Sequence, residues 1–477
     1  MRTFLPKDKE RLFTALAVFF ITLIAFETLA VTTAMPTVTT ALHGSHLYAL
    51  ALGIVMATQL MSTAVAGVWS DTKGPHSCLY IGLTLFTTGL VFCTVAPTME
   101  IFVVGRAIQG VGGGMCIVPF YTIVGTSIQP RNRPRILSYF AGAWILPSLF
   151  GPAIAGFIVE RMSWRIIFGM TPVAIILSAP LIYYVMRKIP DIEHVKAPVR
   201  LRKLLIPSIF SGVFVGALQT MSGGQNYTIY HYLAITALFV VSLIAVRPLF
   251  PGRTFTAGRG MPATILTRIF LDGTFVGMEM FLPLLLQDVH GWSPTQAGLI
   301  LSVGSITWAV GSFFSGKVKT QVRRERLPLQ GLIVGVIGLI ILTFGTHHAI
   351  SGMFVVIGWA IAGFGSGLSY PALTVHALAI SPLEKQGQAS SALQVADTLG
   401  TALCAALIGI VIATFSPPLD TSLIIAFAMC VLLTAVGALI STRILPPHSE
   451  RGGTSTRGIS GPGGSDGDFT SHTSQNN

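Results

Sequence analysis

Charge is what this chain has least of. Only 10% of its 477 residues are Asp, Glu, Lys or Arg, and its mean hydropathy is +0.72; soluble domains carry about 25% charged residues. So little charge excludes a soluble globular protein. Acids are the scarcer sign, 18 against 30 Lys and Arg. Cysteine is sparse as well: Cys78, Cys93, Cys116, Cys404 and Cys430 all stand in apolar stretches without paired or metal-type spacing, which excludes a disulfide framework and a Cys-ligated metal site. The sequence contains no P-loop, no metal-ligand spacing and no Ser-His-Asp order, and the run GVGGG follows no strand. No enzyme activity, metal or cofactor is expected.

What the chain has instead is apolar runs of about 20 residues, each long enough to cross a ~30 Å hydrocarbon core as a helix. Six fall near 12–36, 47–69, 77–97, 100–125, 136–159 and 164–186, two near 204–222 and 228–247, and six more near 261–287, 294–316, 327–346, 350–377, 389–414 and 420–445. The first run is too long for a signal-peptide core and counts as a span. The stretch 105–114, GRAIQGVGGG, returns as GWAIAGFGSG at 358–367, identical at six of ten positions. The interval suggests a duplicated six-helix unit with two helices inserted, fourteen spans in all. In the copy Trp359 replaces Arg106 and Ala362 replaces Gln109, so the halves share a scaffold without sharing a chemistry.

The fold class expected is therefore an all-α polytopic membrane protein of two six-helix bundles plus two helices. Its parts are an N-terminus (1–11), a first bundle (12–186), a linker with two extra helices (187–260), a second bundle (261–445) and a disordered Gly/Ser/Thr-rich tail (446–477). All Lys and Arg except Arg106, Arg161 and Arg165 fall in alternate loops, the termini or adjoining helix ends. This asymmetry is the positive-inside signature, placing both termini in the cytoplasm. It accounts for the net charge of +12 without nucleic acid.

Of the acids, Glu27, Asp272, Glu279 and Asp397 fall clearly inside spans. Intramembrane carboxyls are functional candidates by default, because burial brings proton exchange near neutral pH. Glu27, with no charge within one turn, is the first choice for a proton site. Asp272 follows Arg268 by four residues, a spacing that lets the two meet on one helix face. Glu279 is the better titrating candidate of that helix, and Asp397 stands beside Gln394 in span thirteen. Arg106, alone in an apolar run, needs a partner in the bundle interior. Gly142, Pro147, Gly151, Pro152 and Gly156 punctuate span five as a kinked, tightly packing helix, a rocking interface. Gln109, Met115, Trp144, Phe275, Met278, Trp308, Trp359, Tyr370 and Gln394 are the candidates to line an apolar cavity, with Met280 and Phe281 beside them.

These motifs resemble those of the major facilitator superfamily, and more closely its fourteen-span drug:proton antiporter family. GVWSDTKGPH is similar to the family's loop motif between spans two and three, with Gly67, Asp71 and Gly74 in place. GRAIQG resembles its span-four motif, whose arginine, here Arg106, the family links to proton coupling. Gly142, Gly151, Pro152 and Gly156 resemble the span-five motif of antiporters, and FETLAVTTAMP the first-span motif, with Glu27 where Asp is usual. The resemblance implies a proton-driven exporter of lipophilic, cationic drugs working by alternating access, monomeric, in the cell membrane. The runner-up cargo on the same fold is an endogenous lipid or hydrophobic metabolite, and a non-transporting receptor or scaffold is the remote alternative. The partners expected are small lipophilic molecules, protons and the bilayer.

Overall fold

A computed structural model describes residues 5–129, 131–187, 189, 199–221, 227–318, 321–381, 386–415 and 417–444. The tail expected at 446–477 and most of the connector 187–198 lie outside the described residues. Those described form helices and connecting turns, with no strand among them. In hydrocarbon an apolar segment satisfies its own backbone only as a helix or a closed barrel, and these segments take the first route.

The first half contains α1 (Lys7–Ala41), α2 (Tyr48–Lys73), α3 (Pro75–Val95), α4 (Met99–Ser127), α5 (Arg133–Gly142), α6 (Ile145–Arg161) and α7 (Trp164–Met186). A hairpin of α8 (Val199–Met221) and α9 (Ile229–Val246) follows. The second half contains α10 (Met261–Glu279), α11 (Leu282–Leu284), α12 (Pro294–Lys317), α13 (Gln321–Phe344), α14 (Met353–Ala379), α15 (Gln386–Phe415) and α16 (Leu419–Ser441). Twelve of the helical segments are long and apolar enough to span a bilayer. The remaining two of the fourteen expected spans are the α5–α6 pair and α8, whose apolar part is Ile206–Met221.

Two spans expected to be continuous are broken. Span five divides at Ala143 and Trp144 into α5 and α6, because Pro147 has no N–H for the Ala143 carbonyl and its ring would collide with it. The span expected over 261–287 stops at Glu279, resumes as the single turn α11 and continues as a π-helical turn over Leu285–Val289. Pro283, four residues after Glu279, has the same effect there.

The two halves repeat one packing scheme. In the first, α4 lies against α2 and α3, α1 against α6 and α7, and α3 against α7; in the second, α14 lies against α12 and α13, α10 against α15 and α16, and α13 against α16. The repeated glycines make this close packing possible. A Cβ at Gly112 would lie 2.6 Å from Phe86 Cα, and one at Gly114 2.8 Å from Gln59 O. In the copy, a Cβ at Gly365 would lie 2.6 Å from Gly335 N, and one at Gly367 2.8 Å from the Trp308 carbonyl carbon. The glycine run thus serves helix contact on both sides of α4 and α14.

The membrane face on which α1 begins is here termed the near face, and the one on which it ends the far face. The halves meet through α6–α12 and α2–α15, with smaller contacts of α1 on α11 and α12. At α6–α12 backbone lies on backbone: a Cβ at Gly156 would fall 2.7 Å from Thr295 Cα, and one at Gly298 2.6 Å from the Pro152 carbonyl carbon. Described hydrogen bonds between the halves cluster toward the far face. Tyr48 Oη donates to Met280 O at 2.8 Å, Gln287 Nε2 to Thr33 O at 3.2 Å, and Thr295 N to Glu160 Oε2 at 3.4 Å. The α8–α9 hairpin lies beside the α2–α15 seam, where Gln219 Nε2 donates to Ala402 O at 2.6 Å.

Candidate functional site

Glu27, at mid-length of α1, and Arg106, two turns into α4, are 2% and 4% exposed. Two bare charges at that burial would each cost several kcal/mol, and the structure gives them to each other. Arg106 Nη1 donates to Glu27 Oε1 at 2.8 Å. The same nitrogen donates to Gln109 Oε1 one turn on, and Nε donates to Ala51 O at 3.3 Å. Gln109, expected in a substrate cavity, is buried with its Oε1 held by Arg106.

The pair borders a small cavity of about 50 Å³ between the halves, whose lining includes Glu27, Thr28, Thr32, Arg106, Glu279 and Met280. Glu279, from the second half, faces it as the last residue of α10 before the break. No hydrogen-bond partner for its carboxylate is found among the described residues. Three of the five residues named from sequence as proton-coupling candidates, Glu27, Arg106 and Glu279, thus line one cavity. The cavity admits a few waters and no drug-sized molecule, which needs several hundred Å³.

The second half holds a different charge cluster. The four-residue spacing that suggested an Arg268–Asp272 pair is overruled: Arg268 turns to Asp397, 129 residues away, through Nε to Oδ1 and Nη2 to Oδ2 at 3.0 Å. Its remaining nitrogen donates to Tyr370 O at 2.9 Å and Thr374 Oγ1 at 3.2 Å. A carboxylate opposite a guanidinium accepts two parallel bonds, which Asp272, one turn along the same helix, does not offer here. Asp272 instead accepts from Thr401 Oγ1 at 3.3 Å. Asp397 also accepts from Tyr370 Oη at 3.0 Å, while Gln394, its expected neighbour, is exposed.

Four of the expected cavity aromatics form one file inside this half. Trp359 stacks on Phe275 with centroids 4.3 Å apart, Phe275 meets Trp308 at 5.0 Å, and Trp308 meets Tyr370 at 5.2 Å. The Arg268 guanidinium lies over the Tyr370 ring. At the position where the first half carries Arg106, the second thus carries a ring stack. Met278 is fully buried in the main core; Met115 packs with Ala66 and Cys78 away from the cavity, and Trp144 is exposed in the span-five break. Those last two expectations are corrected to packing and surface.

The remaining motif residues serve the backbone. Gly74 has φ 88°, the conformation that lets α2 turn into α3 at one residue. The side chain of Asp71 lies outside the described residues, and a Cβ at Gly67 or Gly142 would meet nothing within 4 Å. Gly151 faces Phe26, and Pro152 and Gly156 form the contact with α12 described above.

At the far face His347, His348 and Asp420 bring three donor atoms within 4.8 Å of one another, a cluster hidden from sequence by the distance to Asp420. Both Nδ1 atoms are engaged: His348 Nδ1 bonds Asp420 Oδ2 at 2.6 Å, and His347 Nδ1 accepts from Ala349 N at 3.1 Å. The cluster reads as a pin between the α13–α14 turn and the start of α16. Tyr48, Gln287, Thr28 and Thr32 were not marked by sequence, because neutral residues among apolar ones carry no signal of their own.

Two repeated helical bundles, inserted helices between them and a buried charge pair at their junction define a membrane carrier of the two-bundle class. The sequence profile of the Major Facilitator Superfamily matches residues 15–352 and 269–464, and the chain belongs to that family. It is 26% identical over 399 residues to Multidrug resistance protein 3 of Bacillus subtilis, covering 81% of this chain and 76% of that one. With the multidrug efflux pump SdrM of Staphylococcus aureus it shares 23% over 358 residues, 72% and 77% of the respective chains. Its fold matches that of a bacterial homologue of the human lysosomal transporter Spinster, in an inward-facing and occupied conformation, with a TM-score of 0.66 at 15% identity and coverage of 92% and 98%. The peptide transporter POT in complex with sulfate gives 0.64 at 15%, covering 90% of this chain and 94% of that one.

Proposed function

We propose that the chain is a proton-coupled exporter of lipophilic, cationic small molecules, acting as a monomer in the cell membrane with both termini cytoplasmic. The observation that carries this reading is the small cavity between the halves, which brings Glu27, Arg106 and Glu279 together from three helices. The names of the relatives support the cargo class, and the basic near face supports the orientation.

In this reading a proton and the Arg106 guanidinium compete for one carboxylate, Glu27. Protonation leaves Arg106 uncompensated, and its positive charge then disfavours a cation in the same cavity. Proton and cargo exclude each other, as antiport requires. Glu279, with no cation of its own, attracts a cationic cargo from the opposite wall. The aromatic file of the second half offers such a cargo flat, polarisable faces. Alternating access would part the backbone contact at α6–α12 and rock the halves about the cavity.

The test is efflux of a lipophilic cationic dye from proteoliposomes under an imposed pH gradient. Wild type should move dye in step with the gradient, and Glu27→Gln, which leaves Arg106 uncompensated as protonation does, should bind the dye more weakly and lose the gradient dependence. Gradient-driven efflux by Glu27→Gln would sink the assignment. No movement of any lipophilic cation by wild type would redirect the search to lipid cargo.

A further inference from the structure

We propose that Tyr48 is the positioning residue through which closure of the far face sets the geometry of both cavity carboxylates. The tyrosine opens α2 and is 4% exposed. Its ring lies 5.5 Å from that of Phe281, and its hydroxyl donates to Met280 O at 2.8 Å. That carbonyl sits in the two-residue break between α10 and α11, immediately after Glu279.

A broken helix at membrane depth has carbonyls to satisfy. Here one is satisfied by a side chain of the opposite half. One turn further along α2, Ala51 O accepts from Arg106 Nε at 3.3 Å, and Arg106 holds Glu27. A single turn of α2 therefore touches the neighbour of one carboxylate and the partner of the other.

The two contacts differ in what opening does to them. Ala51 and Arg106 belong to the same half and move together. Tyr48 and Met280 belong to different halves and must separate when the far face opens. Separation leaves the Met280 carbonyl without this partner and releases the α10 break, so Glu279 changes its position relative to Glu27 and Arg106. The charged groups around Glu279 are Glu27 on α1 and Arg106 on α4 across the cavity, Asp272 two turns earlier on α10, and Asp288 exposed beyond the break.

The structural part of this inference stands without the transport reading, and its kinetic part rests on it. Tyr48→Phe keeps the ring on Phe281 and removes only the hydroxyl. The first readout is labelling of Thr32→Cys, which lines the cavity, by a membrane-impermeant maleimide from the far face of reconstituted protein; the native cysteines are buried. Tyr48→Phe should raise the labelling rate about fivefold, the population shift expected for one hydrogen bond. The second readout is the pH midpoint for binding a fluorescent lipophilic cation, which Tyr48→Phe should shift by about half a unit or more. That shift should vanish in a Glu279→Gln background, as coupled residues require.

Gln287→Leu is the comparison. It removes the bond to Thr33 O, which also crosses the halves but touches neither carboxylate. It should raise labelling and leave the midpoint in place. Unchanged labelling in Tyr48→Phe, an equal midpoint shift in Gln287→Leu, or a Tyr48→Phe shift that persists without Glu279 would each overturn the proposal. A wild type that carries no cation under a pH gradient, beside a Tyr48→Phe variant that still labels faster, would sink the transport reading and leave the Tyr48 device standing.

Discussion

A guanidinium has five N–H donors and accepts nothing, so an arginine buried in a membrane protein is placed by whatever can receive those donors. Arg268 finds both oxygens of Asp397, the Tyr370 carbonyl and the Thr374 hydroxyl. Removing one partner of a buried pair leaves a bare charge, at a cost of about 3–5 kcal/mol. Asp397→Asn should therefore lower the thermal unfolding midpoint in detergent well below that of Asp272→Asn, whose described hydrogen bond is a single hydroxyl contact. Equal losses would mean that Arg268 is shared between the two acids. The membrane charges themselves were legible in the sequence, since they stand out within apolar runs. Their pairing was not: Glu27 and Arg106 are separated by 79 residues and Arg268 and Asp397 by 129, and helical spacing ranks only neighbours on one helix. Arg268 also shows local spacing losing to the better acceptor geometry of a remote helix.

Among the elements, α6 and α12 form a contact between the halves that small changes would disturb. A side chain at Gly156 would fall on the α12 backbone, 2.7 Å from Thr295 Cα, and backbone has no rotamer with which to move aside. Gly156→Val should express and fold but hold the far face ajar. The expected result is faster far-face labelling of Thr32→Cys together with loss of gradient-driven dye efflux. Unchanged labelling would show that α6 can tilt to make room. Positions and lengths of the spans were readable from apolar run length alone, because a bilayer fixes how many residues a helix needs. The breaks were harder to read. Pro147 and Pro283 each divide a span, whereas Pro36, Pro119 and Pro371 lie within helices that continue past them. A proline marks where a helix can fail, and its neighbours decide whether it does.

At the scale of the molecule, the duplicated glycine stretch told the truth about architecture. The two halves repeat their helix contacts, and the α8–α9 hairpin occupies the seam at α2 and α15. The orientation proposed from the basic loops can be checked directly. A cysteine in place of His46 should react with an impermeant maleimide from outside intact cells, and one in place of Lys73 only after permeabilisation. The reverse pattern would invert the direction of transport proposed above. One consequence follows from Glu27 and Arg106 belonging to the same half. With Glu27 ionised the pair travels as a dipole with no net charge; with Glu27 protonated, Arg106 travels as an unbalanced cation. A uniform field does no work on a neutral pair that translates without turning, and about 2.3 kcal/mol on each net charge carried across 100 mV. Membrane voltage should thus bias the protonated stroke of the cycle and leave the pair's share of the other untouched.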